Sequence, residues 1–359
     1  RIKSSNDFWV GGRQIGPFAT AISCCAAYYS TVAMIGGPPL YNAYGMGYGA
    51  LEILGSVSCC GVFIFLVFGL KMRAVSERVN VVSLPGFLAI RFKNNSIRLI
   101  GATIIAVMMS PYAMSVMKGI GDAMESIVGV PYAAAVIVVG IVAIIYLVTS
   151  GYWGVAVTDI IQGITIVIAV ILLAFVCVRQ CGGIAPIVDA MRTENPKLLE
   201  VPGIMSWGQI FSWAWVWALI AFGQPQLLTK FMSMKDTRTI GAVVRTAVIW
   251  LSVTCICGGL VGYAGVYLLK GQTFENIDLL APVLAQQYGG TLVSGIFICG
   301  ALAAGLSTLV ALALTSSSAI AKDIYEDYRS IKTGTQADPA KSVKISRIAT
   351  AIIMVVIII

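Results

Sequence analysis

Long apolar segments recur along the chain, separated by shorter polar stretches. The first eight are about 18 residues or longer, the length that crosses the hydrocarbon core of a bilayer as a helix. The segments lie at residues 15–36, 49–70, 99–119, 132–149, 155–178, 209–231, 240–269, 291–319 and from 348 onward. The pattern predicts an all-α integral membrane protein with about nine visible transmembrane helices.

The composition supports a membrane environment. Hydrophobic residues make up 58% of the 359 positions and charged residues 11%, a balance that excludes an ordinary water-soluble domain. The chain opens with Arg1 and stops inside an apolar run, so we expect both termini to be cut from a longer protein and the helix count to be a minimum. We treat residues 1–359 as a single transmembrane domain.

Positive charge is distributed unevenly between the two sets of alternating loops. One set carries 19 of the 24 lysine and arginine residues and the other carries 5, so the positive-inside rule makes the first set cytoplasmic. We expect a multi-pass protein of the plasma membrane. The lysine and arginine residues behind the net charge of +8 then serve as orientation signals next to the bilayer. They are spread over several loops and do not form one basic face, which argues against nucleic-acid binding.

Two segments contain residues that interrupt helices. The first carries Gly36-Gly37-Pro38-Pro39 and the sixth carries Gly223-Gln224-Pro225. Proline removes a backbone donor, and carbonyls freed in this way inside a bilayer need a partner such as a bound cation or solute. Harmless kinks are the alternative, but breaks five segments apart match an inverted five-plus-five helix repeat. The first repeat would cover about residues 15–180, and the second, truncated, about residues 208–359.

Few residues suggest other chemistry. Histidine is absent, and paired carboxylates, a metal cluster or a nucleophile with a base are not recognisable, so we expect no enzyme, no cofactor and no metal beyond sodium. Ser307 and Thr308 in the eighth segment have two interpretations: hydrogen bonds to the preceding helical turn, or coordination of a sodium ion. Glu52, Asp122 and Glu125 are interpreted as solvated charges at the external ends of segments.

Several short motifs, in order, resemble those of the sodium:solute symporter family, which includes carriers of proline, pantothenate, monocarboxylates and sugars. The motifs are Asp7-Phe8-Trp9-Val10-Gly11-Gly12-Arg13, Gly154 to Gln162, Phe222-Gly223-Gln224-Pro225 with Lys230-Phe231-Met232, and Leu306-Ser307-Thr308 leading to Asp323-Ile324-Tyr325. The resemblance covers essentially the whole chain. It implies a LeuT-like inverted-repeat bundle whose nine visible helices are the second to the tenth of the family.

The resemblance also implies positions for the ligands. In the family, sodium is held by backbone carbonyls of the first broken helix and by a carbonyl and two hydroxyls of a later helix. Carried over by motif, these ligands are Ala26, Tyr29, Ala304, Ser307 and Thr308. The solute site of proline-type members corresponds to Ser30, Thr31, Tyr112, Trp217 and Pro225.

Departures from the proline carriers make proline itself doubtful as the solute. Tyr28 stands where those carriers have an aspartate, and Ala221 stands where they have a tyrosine. Asp159 keeps two interpretations: it guides sodium to or from the cytoplasm, or it caps the fifth helix together with Thr158.

The implied function is sodium-coupled symport of a small organic solute, such as a carboxylate, a pantothenate-like compound or an amino acid, by alternating access. Two alternatives stay open. One is a proton-coupled carrier of the same fold, against which we count the absence of histidine and of a carboxylate in the middle of a segment. The other is the membrane sensor module of a signalling kinase.

Overall fold

The computed structural model describes residues 5–272, 276–334 and 338–358, and nearly all of this part of the chain is helical. We number the helices in chain order. They are α1 Ser5–Val10, α2 Pro17–Tyr28, α3 Thr31–Tyr44, α4 Met46–Val79, α5 Leu84–Phe92, α6 Asn95–Ala123, α7 Tyr132–Gln180, α8 Ile184–Glu194, α9 Trp207–Gly223, α10 Pro225–Met232, α11 Ile240–Leu268, α12 Leu280–Tyr288, α13 Gly290–Thr333 and α14 Pro339–Ile358.

The helices include several that are able to cross a bilayer. Within the described residues, five are long and apolar enough to do so, namely α4, α6, α7, the helix that includes α11, and α13, and the bent pair α2–α3 makes up to six. The prediction of an all-helical membrane bundle is confirmed. The number of nine crossings stays a prediction, because α9 has 17 residues and α14 carries several charges at its start.

Helix α7 contains two of the predicted segments. Its 49 residues would extend over about 74 Å at the rise of an α-helix, more than twice the thickness of the hydrocarbon core. Gly151 interrupts it with a φ of 54° and a ψ of −145°, a conformation that glycine adopts readily and other residues rarely adopt. The helical parts on either side coincide with the predicted segments 132–149 and 155–178.

Small residues bring the central helices close together. Helix α13 packs against α6 and α7, and α2 packs against α7 and α11. A Cβ atom at Gly163 of α7 would lie 2.4 Å from Ile22, and one at Gly300 of α13 would lie 2.5 Å from Ala169. The hydrophobic effect contributes little to helix association in a bilayer, because lipid tails are as apolar as the side chains. Close van der Waals packing at glycine residues stabilises the association instead. The first broken helix is thereby held against α7, α11 and α13.

Candidate functional site

The first broken segment is interrupted at Tyr29 and Ser30. Helix α2 ends at Tyr28 and α3 begins at Thr31, with a bend of 63° between them. Tyr29 has a ψ of 83° and Ser30 a ψ of 177°, so neither residue continues the helix. A helix that stops leaves the carbonyls of its last turn without amide donors.

The glycine and proline pattern placed this break at Gly36 to Pro39, which was wrong, whereas the family resemblance, which put backbone ligands at Ala26 and Tyr29, agrees with the observed place of the break. Residues 36–39 lie inside α3, and Pro38 and Pro39 are both helical. A proline removes only its own donor, and neighbouring helices supply substitutes inside a membrane protein. At the observed break, hydroxyl groups of another helix donate hydrogen bonds to the carbonyls at the end of α2.

Those hydroxyl groups belong to Ser307 and Thr308 of α13. Ser307 Oγ donates to the Ala26 carbonyl at 2.8 Å, and Thr308 Oγ1 donates to the Ala27 carbonyl at 3.0 Å. Both hydroxyls also lie close to the Ala304 carbonyl, at 3.0 and 3.2 Å. We call these five oxygen atoms the carbonyl–hydroxyl cluster.

The cluster brings together four of the five sodium ligands expected from the sequence. Ala26, Ala304, Ser307 and Thr308 are each 0% exposed. Tyr29 lies at the break itself, where its ring packs edge-on against Trp250 at 5.6 Å. Ala27 was not expected, although its position next to Ala26 at the end of α2 was a signal. Neutral oxygens of this kind, at an unwound helix, suit a monovalent cation.

The second break lies where the sequence predicted it. Helix α9 ends at Gly223 and α10 begins at Pro225, and Gln224 between them is extended with a ψ of 111°. Proline at the first position of a helix lacks only a donor that would be unpaired anyway. Among the described residues, Gln224 Oε1 and both polar side-chain atoms of Gln226 are buried without a hydrogen-bond partner. Unpaired polar atoms thus collect at this break.

The residues expected at the solute site do not line a single cavity. Ser30 and Thr31 are buried at the start of α3, and Thr31 lines a cavity of about 230 Å³ together with Ser115 and Gly119 of α6. The cavity extends to Asp278, in a loop that the charge count places outside. It therefore connects the start of α3 with the external side.

Tyr112 and Trp217 do not line this cavity. Tyr112 is partly buried on α6, one turn before the cavity-lining Val116. Trp217 of α9 packs edge-on against Tyr48 of α4 at 6.1 Å, and a Cβ atom at Gly55 would lie 2.8 Å from its ring. The structure thus sets Trp217 against α4.

Glu52 is a residue that the sequence misinterpreted. It was grouped with Asp122 and Glu125 as a solvated charge, which suits Asp122, an exposed partner of Lys118 at 3.2 Å. Glu52 instead accepts a hydrogen bond from Ser56 at 2.5 Å, and Ser56 lies 3.3 Å from the hydroxyl of Tyr28. The signal was present, since Glu52 lies inside the predicted segment 49–70, and a carboxylate there is costly unless it has a use.

The structure decides one of the two interpretations of Asp159. Thr158 donates back to the carbonyls of Gly154 and Val155, at 2.9 and 3.1 Å, and the helix starts well before Asp159, so the capping interpretation is wrong. Asp159 is 1% exposed and pairs with Lys230 Nζ at 2.7 Å. Lys230 is also 1% exposed, so it is not the loop charge that the lysine and arginine count assumed.

Comparison with known proteins identifies the family. The sodium:solute symporter family matches residues 8–359. The osmoregulated proline transporter OpuE of Bacillus subtilis (strain 168) is 28% identical over 356 residues, which are 98% of this chain and 71% of that protein. A sodium/proline symporter of Staphylococcus aureus is 28% identical over 358 residues, covering 98% of this chain and 69% of that protein.

A solved structure shows the same fold. It is the substrate-bound outward-open state of a Na⁺-coupled sialic acid symporter, with a TM-score of 0.85, 15% sequence identity, and coverage of 100% of this chain and 76% of that chain. The LeuT-like architecture expected from the sequence is thereby confirmed. The chain belongs to the sodium:solute symporter family and is a multi-pass membrane protein that couples sodium to the transport of a small organic solute.

Proposed function

We propose that the coupling sodium ion binds at the carbonyl–hydroxyl cluster. The observation that carries this proposal is that the hydroxyls of Ser307 and Thr308 converge on carbonyls freed at the end of α2. A rotation about the Cβ–O bond of each residue would turn the oxygen lone pairs toward an ion between α2 and α13. The carbonyls of Ala26 and Ala27 already point toward these hydroxyls. Tyr29 would contribute its backbone carbonyl, as the family resemblance implies.

The solute binds beside this ion, between the two helix breaks. Ser30 and Thr31 would supply polar groups at the start of α3, and Tyr112 and Trp217, which do not line the cavity at Thr31, would supply ring faces from α6 and α9 once the solute is bound. Pro225 starts α10 after the second break, next to the unpaired amide groups of Gln224 and Gln226. Convergent polar groups in a mostly apolar site are typical of small-molecule binding.

Glu52 favours an amino acid over the other solute classes. None of the ion pairs in the described part of the chain involves Glu52, whose hydrogen-bond donors are the hydroxyl of Ser56 and the thiol of Cys255. A carboxylate inside a span is costly unless it is paired or reaches water, and a positive group is a favourable partner. The ammonium group of an amino acid would be that partner, and two relatives named as proline transporters agree with this class.

Sodium and solute binding support each other through the first break. Sodium at the end of α2 fixes the start of α3, so that Ser30 and Thr31 are in place for the solute, and by linkage the solute raises the affinity for sodium. Alternating access follows from movement of one repeat, residues 15–180, against the other, residues 208–359, in the plasma membrane. Asp159 would receive the ion on its way to the cytoplasm.

Solute uptake into proteoliposomes containing the full-length protein tests the coupling. Labelled proline and other amino acids are offered with an inward gradient of sodium, of potassium or of choline. We expect uptake only with sodium, and equal uptake in all three salts would contradict the proposal. A fourth set of vesicles receives an inward proton gradient. The sequence argued against proton coupling because it showed no carboxylate in the middle of a segment, but Glu52 and Asp159 both lie within spans.

Two alanine variants test the ion site itself. Ser307→Ala and Thr308→Ala should each raise the sodium concentration for half-maximal uptake by about tenfold, since each removes a ligand worth about 1–2 kcal/mol. Thr315→Ala is the matched control: its hydroxyl is buried on the same helix but donates only to the Ala311 carbonyl, at 2.8 Å. If the three variants give the same half-saturation as the parent protein, the ion binds elsewhere.

A further inference from the structure

A buried polar triad connects three helices on the cytoplasmic side of the carbonyl–hydroxyl cluster. Lys230 of α10 donates to Asp159 of α7 at 2.7 Å and to Ser23 of α2 at 2.6 Å, and Ser23 also contacts Asp159. Each of the three residues is 1% exposed. Burying an ion pair adds little stability because desolvation offsets the attraction. The triad therefore calls for an explanation other than stability.

The triad lies directly beneath the proposed sodium site. Ser23 precedes Ala26 by three residues, so the two share one face of α2 and are separated by about 4.5 Å along its axis. Asp159 Oδ1 is buried without a hydrogen-bond partner among the described residues. The carboxylate thus keeps one acceptor that Lys230 does not use.

A second layer of contacts lies still closer to the cytoplasm. The backbone of Ile15, just before α2, pairs with Ser233 and Lys235, just after α10, at 3.3 and 2.9 Å. Arg73 of α4 is 4% exposed and donates to the carbonyls of Met234 and Lys235. These contacts join the cytoplasmic ends of the two broken helices, while the cavity at Thr31 reaches the external loop. The described conformation is closed on the inside.

We propose that Lys230 is a tethered cation that competes with sodium for Asp159 and Ser23. While the inside is closed, the ammonium group occupies the carboxylate and keeps α10 against α2 and α7. When α10 moves away, Asp159 and Ser23 become free, and a sodium ion leaving the cluster takes the place of the ammonium group. This inference rests on the proposed function, since it requires sodium at the cluster above the triad.

The competition has a direct thermodynamic consequence. A ligand shifts a conformational equilibrium only by its difference in affinity between the two states. Lys230 neutralises the charge of Asp159 in the closed state, so sodium binds there only after opening. Without the ammonium group, Asp159 would attract sodium in the closed state as well.

Labelling of Cys24 reports whether the inside is open. Cys24 adjoins Ser23 on α2 and is 4% exposed in the closed conformation. Inside-out vesicles with the full-length protein are treated with a membrane-impermeant maleimide, and mass spectrometry of the peptide around Cys24 gives the labelling rate at increasing sodium concentration. In the parent protein, sodium should slow the labelling with a half-effect concentration set by the carbonyl–hydroxyl cluster.

Lys230→Met should lower this half-effect concentration about tenfold, within the range typical of coupling between two sites. Lys230→Arg keeps the charge and should stay within about twofold of the parent. The double variant Asp159→Asn with Lys230→Met should also return to the parent value, because no carboxylate is left to attract sodium. Lys230→Gln, which keeps a hydrogen-bond donor, replaces Lys230→Met if the methionine variant does not fold.

Two results would overturn the proposal: an unchanged half-effect concentration in the neutral Lys230 variant, or a lowered value that persists in the double variant. Ser307→Ala, measured in parallel, separates this failure from a failure of the ion site. A normal sodium response in Ser307→Ala contradicts the carbonyl–hydroxyl cluster as the ion site. A normal response in the Lys230 variants contradicts only the competition.

Discussion

The close contact between α3 and α11 at Gly262 gives a prediction about stability. A Cβ atom at Gly262 would lie 2.4 Å from the Pro38 carbonyl oxygen, 2.6 Å from Tyr41 Cβ and 3.2 Å from the Asn42 amide nitrogen. Two of these atoms are backbone, so no side-chain rotation relieves the contact. Gly262→Ala must therefore separate the two helices.

The expected cost follows from two terms. Inserting a methyl group into a packed interface costs about 1–3 kcal/mol. Separation also breaks the hydrogen bond from Asn42 Nδ2 to the Gly262 carbonyl, which is 3.1 Å long and worth about 1 kcal/mol. These two terms together lower the free energy of unfolding by about 2–4 kcal/mol, before the gain in helix propensity is counted. Because α3 begins with Ser30 and Thr31, solute affinity should fall as well.

Gly258→Ala on the same helix provides the control. A Cβ atom there meets only the Tyr29 hydroxyl and a Tyr41 ring carbon, both at 3.9 Å, which is ordinary contact. Both variants gain the same helix propensity, about 0.5–1 kcal/mol in favour of alanine. Equilibrium unfolding by sodium dodecyl sulfate in mixed micelles compares them. Equal stability of the two variants would refute the reasoning.

Two further changes address the solute site. Glu52→Gln should raise the amino-acid concentration for half-maximal uptake by about tenfold to a hundredfold, because it removes a charge-assisted hydrogen bond worth about 1.5–3 kcal/mol. Uptake of a neutral hydroxylated solute should be affected less. An equal effect on both solutes would exclude an ion pair between Glu52 and the amino acid. Gly55→Ala would place a Cβ atom 2.8 Å from the Trp217 ring, so the ring must move. We expect weaker solute binding in isothermal titration calorimetry, with an unchanged response to sodium. Unchanged solute binding would show that Trp217 does not belong to the solute site.

The sequence by itself determined the membrane class, the helical fold and the position of the second break. The thickness of the bilayer sets the length of an apolar segment that can cross it as a helix. The proline in Gly223-Gln224-Pro225 interrupts a helix because it has no backbone N–H and clashes with the preceding turn. Both are local properties that need no knowledge of distant residues. Ser307 and Thr308 were also recognisable, although their role in binding sodium stays a prediction.

The tertiary structure decided between Tyr29 and the Pro38–Pro39 pair as the place of the first break, and it alone decided which partners the buried charges have. The carbonyls of Ala26 and Ala27 at this break accept hydrogen bonds from hydroxyls 281 residues away in the sequence, while Pro38 and Pro39 stay helical. Lys230 was counted as a loop charge because its partner, Asp159, lies 71 residues away in the chain. A buried polar group is stable only with its partner, and which partner it has is determined by how the helices pack.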